Sequence, residues 1–222
     1  MGYIGQQPAP KVVTSSDLAD DVVTADKIGD TAISGFSALG ATPADTDELL
    51  VSDAGTLKRV DFSHLKGGGI TQANQFRLTA QTNTNSNADI TANIEEVDDA
   101  SFSKIGTGIT QSSGIYSFGE TGIYLVMLKA QAAVTGGDQA LVNTFVTQNN
   151  SSYVQVAEAH FMGNTSGNFG GFTSSSFVLV DVTDTSNVKV KFTTSSMGSA
   201  TGISGNTSLN QTTFTFIRLG DT

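Results

Sequence analysis

The sequence predicts an all-β protein, and three observations carry that prediction. Ser, Thr, Asn and 24 Gly fill most polar positions, while Pro numbers 3 and charged residues make up only 14%. β-Branched Thr suits a pleated surface, and Gly, Asn and Ser suit turns. No segment longer than about ten residues keeps a helical period. The stretch Gly114–Leu128 reads as two strands meeting at Gly119-Glu-Thr-Gly122. Tyr116 and Phe118 share one face before the turn. After it Tyr124, Val126 and Leu128 share one face, and Ile123, Leu125 and Met127 the other. A strand apolar on both faces belongs in the middle of a two-layer structure or against a partner chain.

With 222 residues the chain has length for one large or two small domains. Residues 1–12 are small and polar, with Pro8 and Pro10 alternating, and read as an extended arm. Residues 13–34 repeat with a period of ten: Val13, Val23 and Ile33 match, as do Leu18 with Ile28 and Asp20 with Asp30. Two short repeats cannot bury their own apolar faces, but copies from several chains can. The alternative is a helix over 16–28 capped by Ser16.

Glu48–Ser52 and Thr56–Phe62 predict a hairpin around Asp53-Ala-Gly55. A lone hairpin is marginal in water, so it is expected to pack on other chains or neighbouring segments. Gly67-Gly68-Gly69 marks a flexible boundary between a 13–66 neck and a 70–222 module. Beyond it strands are predicted over 76–81, 89–97, 101–105, 114–118, 122–133, 140–148, 153–162, 170–182, 186–195 and 212–219. Val188, Val190 and Phe192 alternate with Lys189 and Lys191, and Phe214 and Phe216 with Thr213 and Thr215. So many antiparallel strands imply a sandwich or jelly roll. Loops around 83–88, 135–139, 149–152, 163–171 and 197–210 join them.

A net charge of −10 leaves no positive footprint for nucleic acid. The apolar runs fall far short of a membrane span. Without cysteine there is neither a disulfide framework nor thiol chemistry. The start lacks the basic and apolar regions of a signal peptide, so none is expected.

Chemistry has few candidate carriers. Only His64 and His160 could serve a nucleophile–His–acid set. His64 follows the hairpin and is expected on the surface. His160 alternates with Glu158, which admits an oriented base or half a metal site, though a surface pair is the plainer reading. Glu95, Glu96, Asp98 and Asp99 are clustered and raise Ca²⁺ binding or glycosidase acid–base work. Neighbouring residues on a strand point alternately, so a solvated acidic turn is preferred. Asp45, Asp47 and Asp53 lack the spacing of an EF-hand. Gly163, Gly167, Gly170 and Gly171 lack the Lys-Ser/Thr of a phosphate loop and read as a rim loop. Sequons at Asn150, Asn164, Asn206 and Asn210 are expected by chance in such a composition. No catalytic residue, cofactor or metal is assigned.

Phe102 in Ala-Ser-Phe-Ser, then Gly114-Ile-Tyr-Ser-Phe118, then Gly122-Ile-Tyr-Leu125, resemble the C1q/TNF-like jelly-roll family, and Thr213–Gly220 is similar to that family's last strand. The resemblance covers 76–222. The N-terminal part resembles bacteriophage fibre proteins, through Tyr3-Ile-Gly5 with following prolines, Thr24-Ala-Asp-Lys-Ile28, and Thr46–Asp53 with Gly55–Phe62.

Together these resemblances imply a homotrimeric virion protein assembled in the host cytoplasm. An arm including Tyr3, Ile4, Pro8 and Pro10 would anchor it to other virion proteins. A short repetitive neck and a jelly-roll knob would follow. The expected role is a tail fibre whose knob recognises a host-surface glycan; a capsid head fibre or decoration protein is the alternative. A glycan-degrading enzyme is the reading from another class, and a soluble C1q/TNF-type binding module a further one. Tyr116, Phe118, Tyr124 and Val126 are the candidates for the trimer interface or the adjacent sandwich core.

Overall fold

The structure, a computed structural model, describes residues 34–65, 69–106, 108–134, 137–163, 170–198 and 201–222, with Val12 and Thr14. The anchor residues Tyr3, Ile4, Pro8 and Pro10, the alternative helix over 16–28 and nearly all of the ten-residue repeat lie outside the described residues. The chain divides into two units, Met1–Lys66 and Gly67–Thr222.

In the first unit β1 (Glu48–Asp53) pairs antiparallel with β2 (Thr56–Asp61), Asp53 facing Thr56. Ala54 and Gly55 both take positive φ, 49° and 86°. That is the left-handed pair that matches strand twist in a two-residue hairpin turn, and Gly supplies half of it without strain. A short 3₁₀ turn, Phe62–His64, follows. Leu50 and Leu57 sit on one face of the hairpin and Leu49 on the other, all exposed.

The second unit is a sandwich of two antiparallel sheets. Its strands are β3 (Ala73–Leu78), β4 (Ile94–Glu96), β5 (Thr110–Ser112), β6 (Ile115–Ser117), β7 (Gly122–Val134) and β8 (Gln139–Thr147). They continue as β9 (Tyr153–Met162), β10 (Gly170–Val182), β11 (Lys189–Ser195), β12 (Gly202–Ile203) and β13 (Thr213–Gly220). One sheet has the order β10-β7-β13-β3-β4, with β12 also on β7; the other runs β5-β6-β11-β8-β9. The chain crosses between the sheets after β4, β6, β7, β9, β10 and β11, as in a jelly roll.

The Gly119–Gly122 turn is one such crossing. β6 pairs with β5 and β11, whereas β7 pairs with β10, β13 and β12. The turn therefore carries the chain from one sheet to the other, and Tyr116 ends up facing strands that hold Tyr124 and Phe216. Their rings meet between the layers. Centroid separations are 4.8 Å for Tyr116–Phe216, 4.6 Å for Phe118–Tyr124 and 4.4 Å for Phe192–Phe214. Tilted and edge-on aromatic pairs of this kind add to the burial of their large apolar areas. The alternation predicted for β11 and β13 holds: Val188, Val190, Phe192, Phe214 and Phe216 are buried.

Several strand boundaries differ from expectation. The strand expected over 89–97 is confined to Ile94–Glu96, and that over 101–105 to a single bridge from Ile105 to Ala73. Residues 98–104 instead form a loop, turned by a hydrogen bond from Phe102 N to Asp99 O. β5 was not expected, because Thr-Gln-Ser has no apolar alternation. It forms because Ser113-Gly114 takes positive φ of 49° and 80° and folds it onto β6. A Cβ at Gly114 would collide with the Ile90 carbonyl. β12 lies inside the predicted 197–210 loop, on the end of β7.

Tyr116 is 1% exposed, yet its hydroxyl has no hydrogen-bond partner. Burial holds its pKa well above the ordinary value. Tyr116→Phe is expected to raise stability by about 1 kcal/mol, since it removes an unsatisfied group and keeps the ring. Phe216→Ala is expected to cost about 3–5 kcal/mol. Urea unfolding of both variants checks the pair.

Burial also pushes Tyr124 up from 10.0 to about 12. Its folded pKa is raised, so this stabilisation is complete below the unfolded phenol value and is lost as pH rises through about 12. Urea midpoints measured across that alkaline window should fall, and fall less steeply in Tyr124→Phe.

Candidate functional site

Tyr116, Phe118, Tyr124 and Val126 are all buried within one chain. They fill the space between the sheets and have no surface to offer a partner, so of the two roles considered for them they occupy the sandwich core. The surface available for assembly lies on the opposite side of the same strands.

Registers across the six-stranded sheet place that surface. Phe177 of β10 faces Met127 of β7, which faces Thr215 of β13. One row along, Leu179, Leu125 and Ile217 are aligned in the same way. Phe177 is 74% exposed and Leu179 61%, while Leu125, Met127 and Ile217 are half-buried. These side chains make a contiguous apolar strip over three strands, with a groove of about 270 Å³ between Met127, Phe177 and Thr215. Phe102 extends it across β3, lining a recess with Ala73 and Ile217. Beside this face, the edge strand β9 exposes Val154 and Val156. A contiguous exposed apolar strip rimmed by polar residues is a candidate interaction surface.

The acidic cluster proves to be organised by a cation. Arg77 lies on the outer side of β3 and is 1% exposed. Its Nε donates to Glu95 at 2.6 Å, its Nη2 to Asp98 at 2.9 Å, and its Nη1 to Asp99. Nη1 also approaches the Asn210 side-chain oxygen at 3.5 Å. Hydrogen bonding to Glu95, and then to Asp99, holds the Arg77 pKa above its ordinary value against the opposing effect of burial. Glu96 points the other way and pairs with Lys104 at 2.5 Å. The preferred solvated turn is thus replaced by an ion-pair cluster that ties the 94–99 segment to β3. Only Asp98 in it is largely exposed. The cluster was hard to see in sequence because Arg77 sits between Phe76 and Leu78 and is separated from its partners by a loop.

The other candidates remain apart. His64 is exposed in the 3₁₀ turn. His160 and Glu158 share the outer face of β9, both exposed, with Glu158 accepting from Gln155. Asp47 accepts from the Ala44 amide and Asp53 pairs with Lys58. Among the described residues no group of three or more His, Asp or Glu is placed to hold a metal ion. Asn206 closes a turn by accepting from the Ser208 and Leu209 amides, and Asn150 takes a left-handed turn conformation. Asn164 and Gly167 lie outside the described residues.

Arg77→Met leaves three carboxylates facing one another. Near pH 7 it is expected to cost about 3 kcal/mol, the low end for losing one partner of a buried ion cluster because the carboxylates are partly exposed. Urea unfolding at neutral pH tests this.

No protein-family model and no curated protein sequence matches the chain. Solved structures do. The Eiger TNF structure from S. frugiperda aligns with a TM-score of 0.52 at 11% identity, over 69% of this chain and 96% of that one. The globular domain of zebrafish complement 1qA gives a TM-score of 0.46 at 10% identity, over 68% and 99%. PRD1 vertex protein P5 gives 0.43 at 20% identity, over 69% and 100%. At 11% identity the likeness to the Eiger TNF structure is one of fold, and that fold is an antiparallel jelly roll.

Proposed function

We propose that the chain is a structural protein of a bacteriophage virion: a homotrimeric tail fibre, anchored through its N-terminal arm, whose knob recognises a host-surface glycan. The observation that carries the assembly half is the uncovered apolar strip of Phe177, Leu179, Leu125, Met127 and Ile217. A sheet face of this kind next to an apolar edge favours contact between two different surfaces of identical chains. Such head-to-tail contacts close into a ring, which avoids an open sticky surface. The threefold count follows the C1q/TNF-like resemblance. The exposed leucines on both sides of the β1–β2 hairpin support association of the N-terminal unit as well.

The virion half rests on the fibre-like repeat and hairpin sequences. A capsid head fibre or decoration protein would use the same arm, neck and knob. A glycan-degrading enzyme finds less support, because Glu95, Asp98 and Asp99 are committed to Arg77. The proposal therefore assigns no catalysis, no cofactor, no nucleic-acid contact and no membrane insertion. The partners are other copies of the chain, neighbouring virion proteins and a surface glycan.

Light scattering should give about three times the 23.0 kDa chain mass, and a mass near one chain would sink the trimer. Phe177→Asp with Leu179→Asp should yield a folded species of one-chain mass, since both side chains are exposed within the chain but desolvated in the assembly. Removing residues 1–12 should leave a soluble trimer that no longer joins particles. Normal incorporation would overturn the anchor.

A further inference from the structure

A second site lies at the end of the sandwich where β3 begins and β13 ends. A cavity of about 430 Å³ opens there between Gln72, Gly106, Gly108, Thr110, Gly119 and Glu120. That volume falls in the range of small-molecule sites. Gln72 is 3% exposed. Tyr124 Oη lies 2.9 Å from Gln72 Oε1 and 3.0 Å from the Glu120 carbonyl oxygen. A phenol carries a single proton, so it satisfies one of these as donor and can meet the Gln72 amide from either end. In both orientations the other polar end of the amide makes no hydrogen bond to a described residue and is left to whatever fills the cavity, solvent or ligand. Gly108 allows the close approach: a Cβ there would collide with the Gln72 amide group. A ligand that enters the cavity can replace solvent as the partner of this amide, provided that it offers a donor or acceptor of its own.

The lining selects the ligand. An apolar molecule would leave the Gln72 amide unpaired. An anion would meet the Glu120 carboxylate. A cation would compete with Arg218, whose Nε is 3.7 Å from Glu120 Oε2. A neutral molecule bearing several hydroxyls meets none of these objections. Each hydroxyl both donates and accepts, so it can answer the amide, the Thr110 hydroxyl and the Glu120 carboxylate together. We propose that this cavity is a subsite for one neutral sugar ring, with Gln72 as the central hydrogen-bonding group and Thr110 and Glu120 at its rim. The ligand class rests on the glycan recognition proposed above.

The test uses the full chain and four probes: D-glucose, D-galactose, D-mannose and N-acetyl-D-glucosamine. Titration calorimetry and saturation-transfer NMR should show saturable binding of at least one, roughly in the millimolar range. Glu120→Gln and Thr110→Val change exposed side chains, so both variants should keep the parent melting temperature. Each should weaken binding by about fivefold to tenfold, the loss of one hydrogen bond. Saturable binding by none of the four, or binding that both variants leave unchanged, would overturn the proposal. Because sugar binding is read on the isolated protein, its failure is separate from a failure of trimer mass or particle incorporation.

Discussion

Tyr116 and Phe192 reach inward from one sheet and meet Phe214 and Phe216 reaching inward from the other. The rest of the module depends on this aromatic contact. It spans the layers with a few large side chains, so the flanking positions can be small: Ala130, Ala132, Ala140 and Ala159 are all buried around it. Alternation then forces the intervening residues of the same strands outward. On β11 these are lysines, which suit solvent. On β7, β10 and β13 they are Leu125, Met127, Phe177, Leu179 and Ile217, which do not. The filled core and the apolar outer face are thus two consequences of one strand pattern.

That division places the candidate contacts. The apolar strip and the recess near Gln72 both lie outside this aromatic core, on the outer side of a sheet and at the end of the sandwich. The outer face of β10, β7 and β13 carries a contiguous apolar strip, the character of an assembly surface. The end near Gln72 is polar and recessed, the character of a small-molecule site. Polar groups that the core cannot accommodate are settled at its margins. Arg77 gathers three carboxylates, and Tyr124, though its ring is in the core, sends its hydroxyl to Gln72 and the Glu120 carbonyl. The unpaired Tyr116 hydroxyl is one exception, held where the aromatic contact needs the ring.

Much of the fold was legible because a strand's period of two is local. The faces of Gly114–Leu128, the alternation in Val188–Phe192 and Phe214–Phe216, and the β1–β2 hairpin all follow from neighbouring residues. Segments without an apolar alternation of their own, or held by a distant partner, were not legible. β5 exists because a two-residue turn folds a polar tripeptide onto β6, and the strand expected over 101–105 gives way to a loop turned by Phe102 and Asp99 and bridged at Ile105 to Ala73. The acidic cluster likewise looked solvated until Arg77, in an apolar strand distant in sequence, supplied its cation.

By itself the sequence determined the class of structure: all-β and two-faced at β7. Turn chemistry and side-chain periodicity specify that much without any long-range contact. Only the tertiary structure decided which apolar face of β7 is core and which is surface. Both faces carry large aliphatic or aromatic residues, so local pattern cannot rank them; the order β10-β7-β13-β3-β4, stacked against the second sheet, does. That packing turns Tyr116, Phe118, Tyr124 and Val126 inward and leaves Leu125, Met127, Phe177, Leu179 and Ile217 on the outer face.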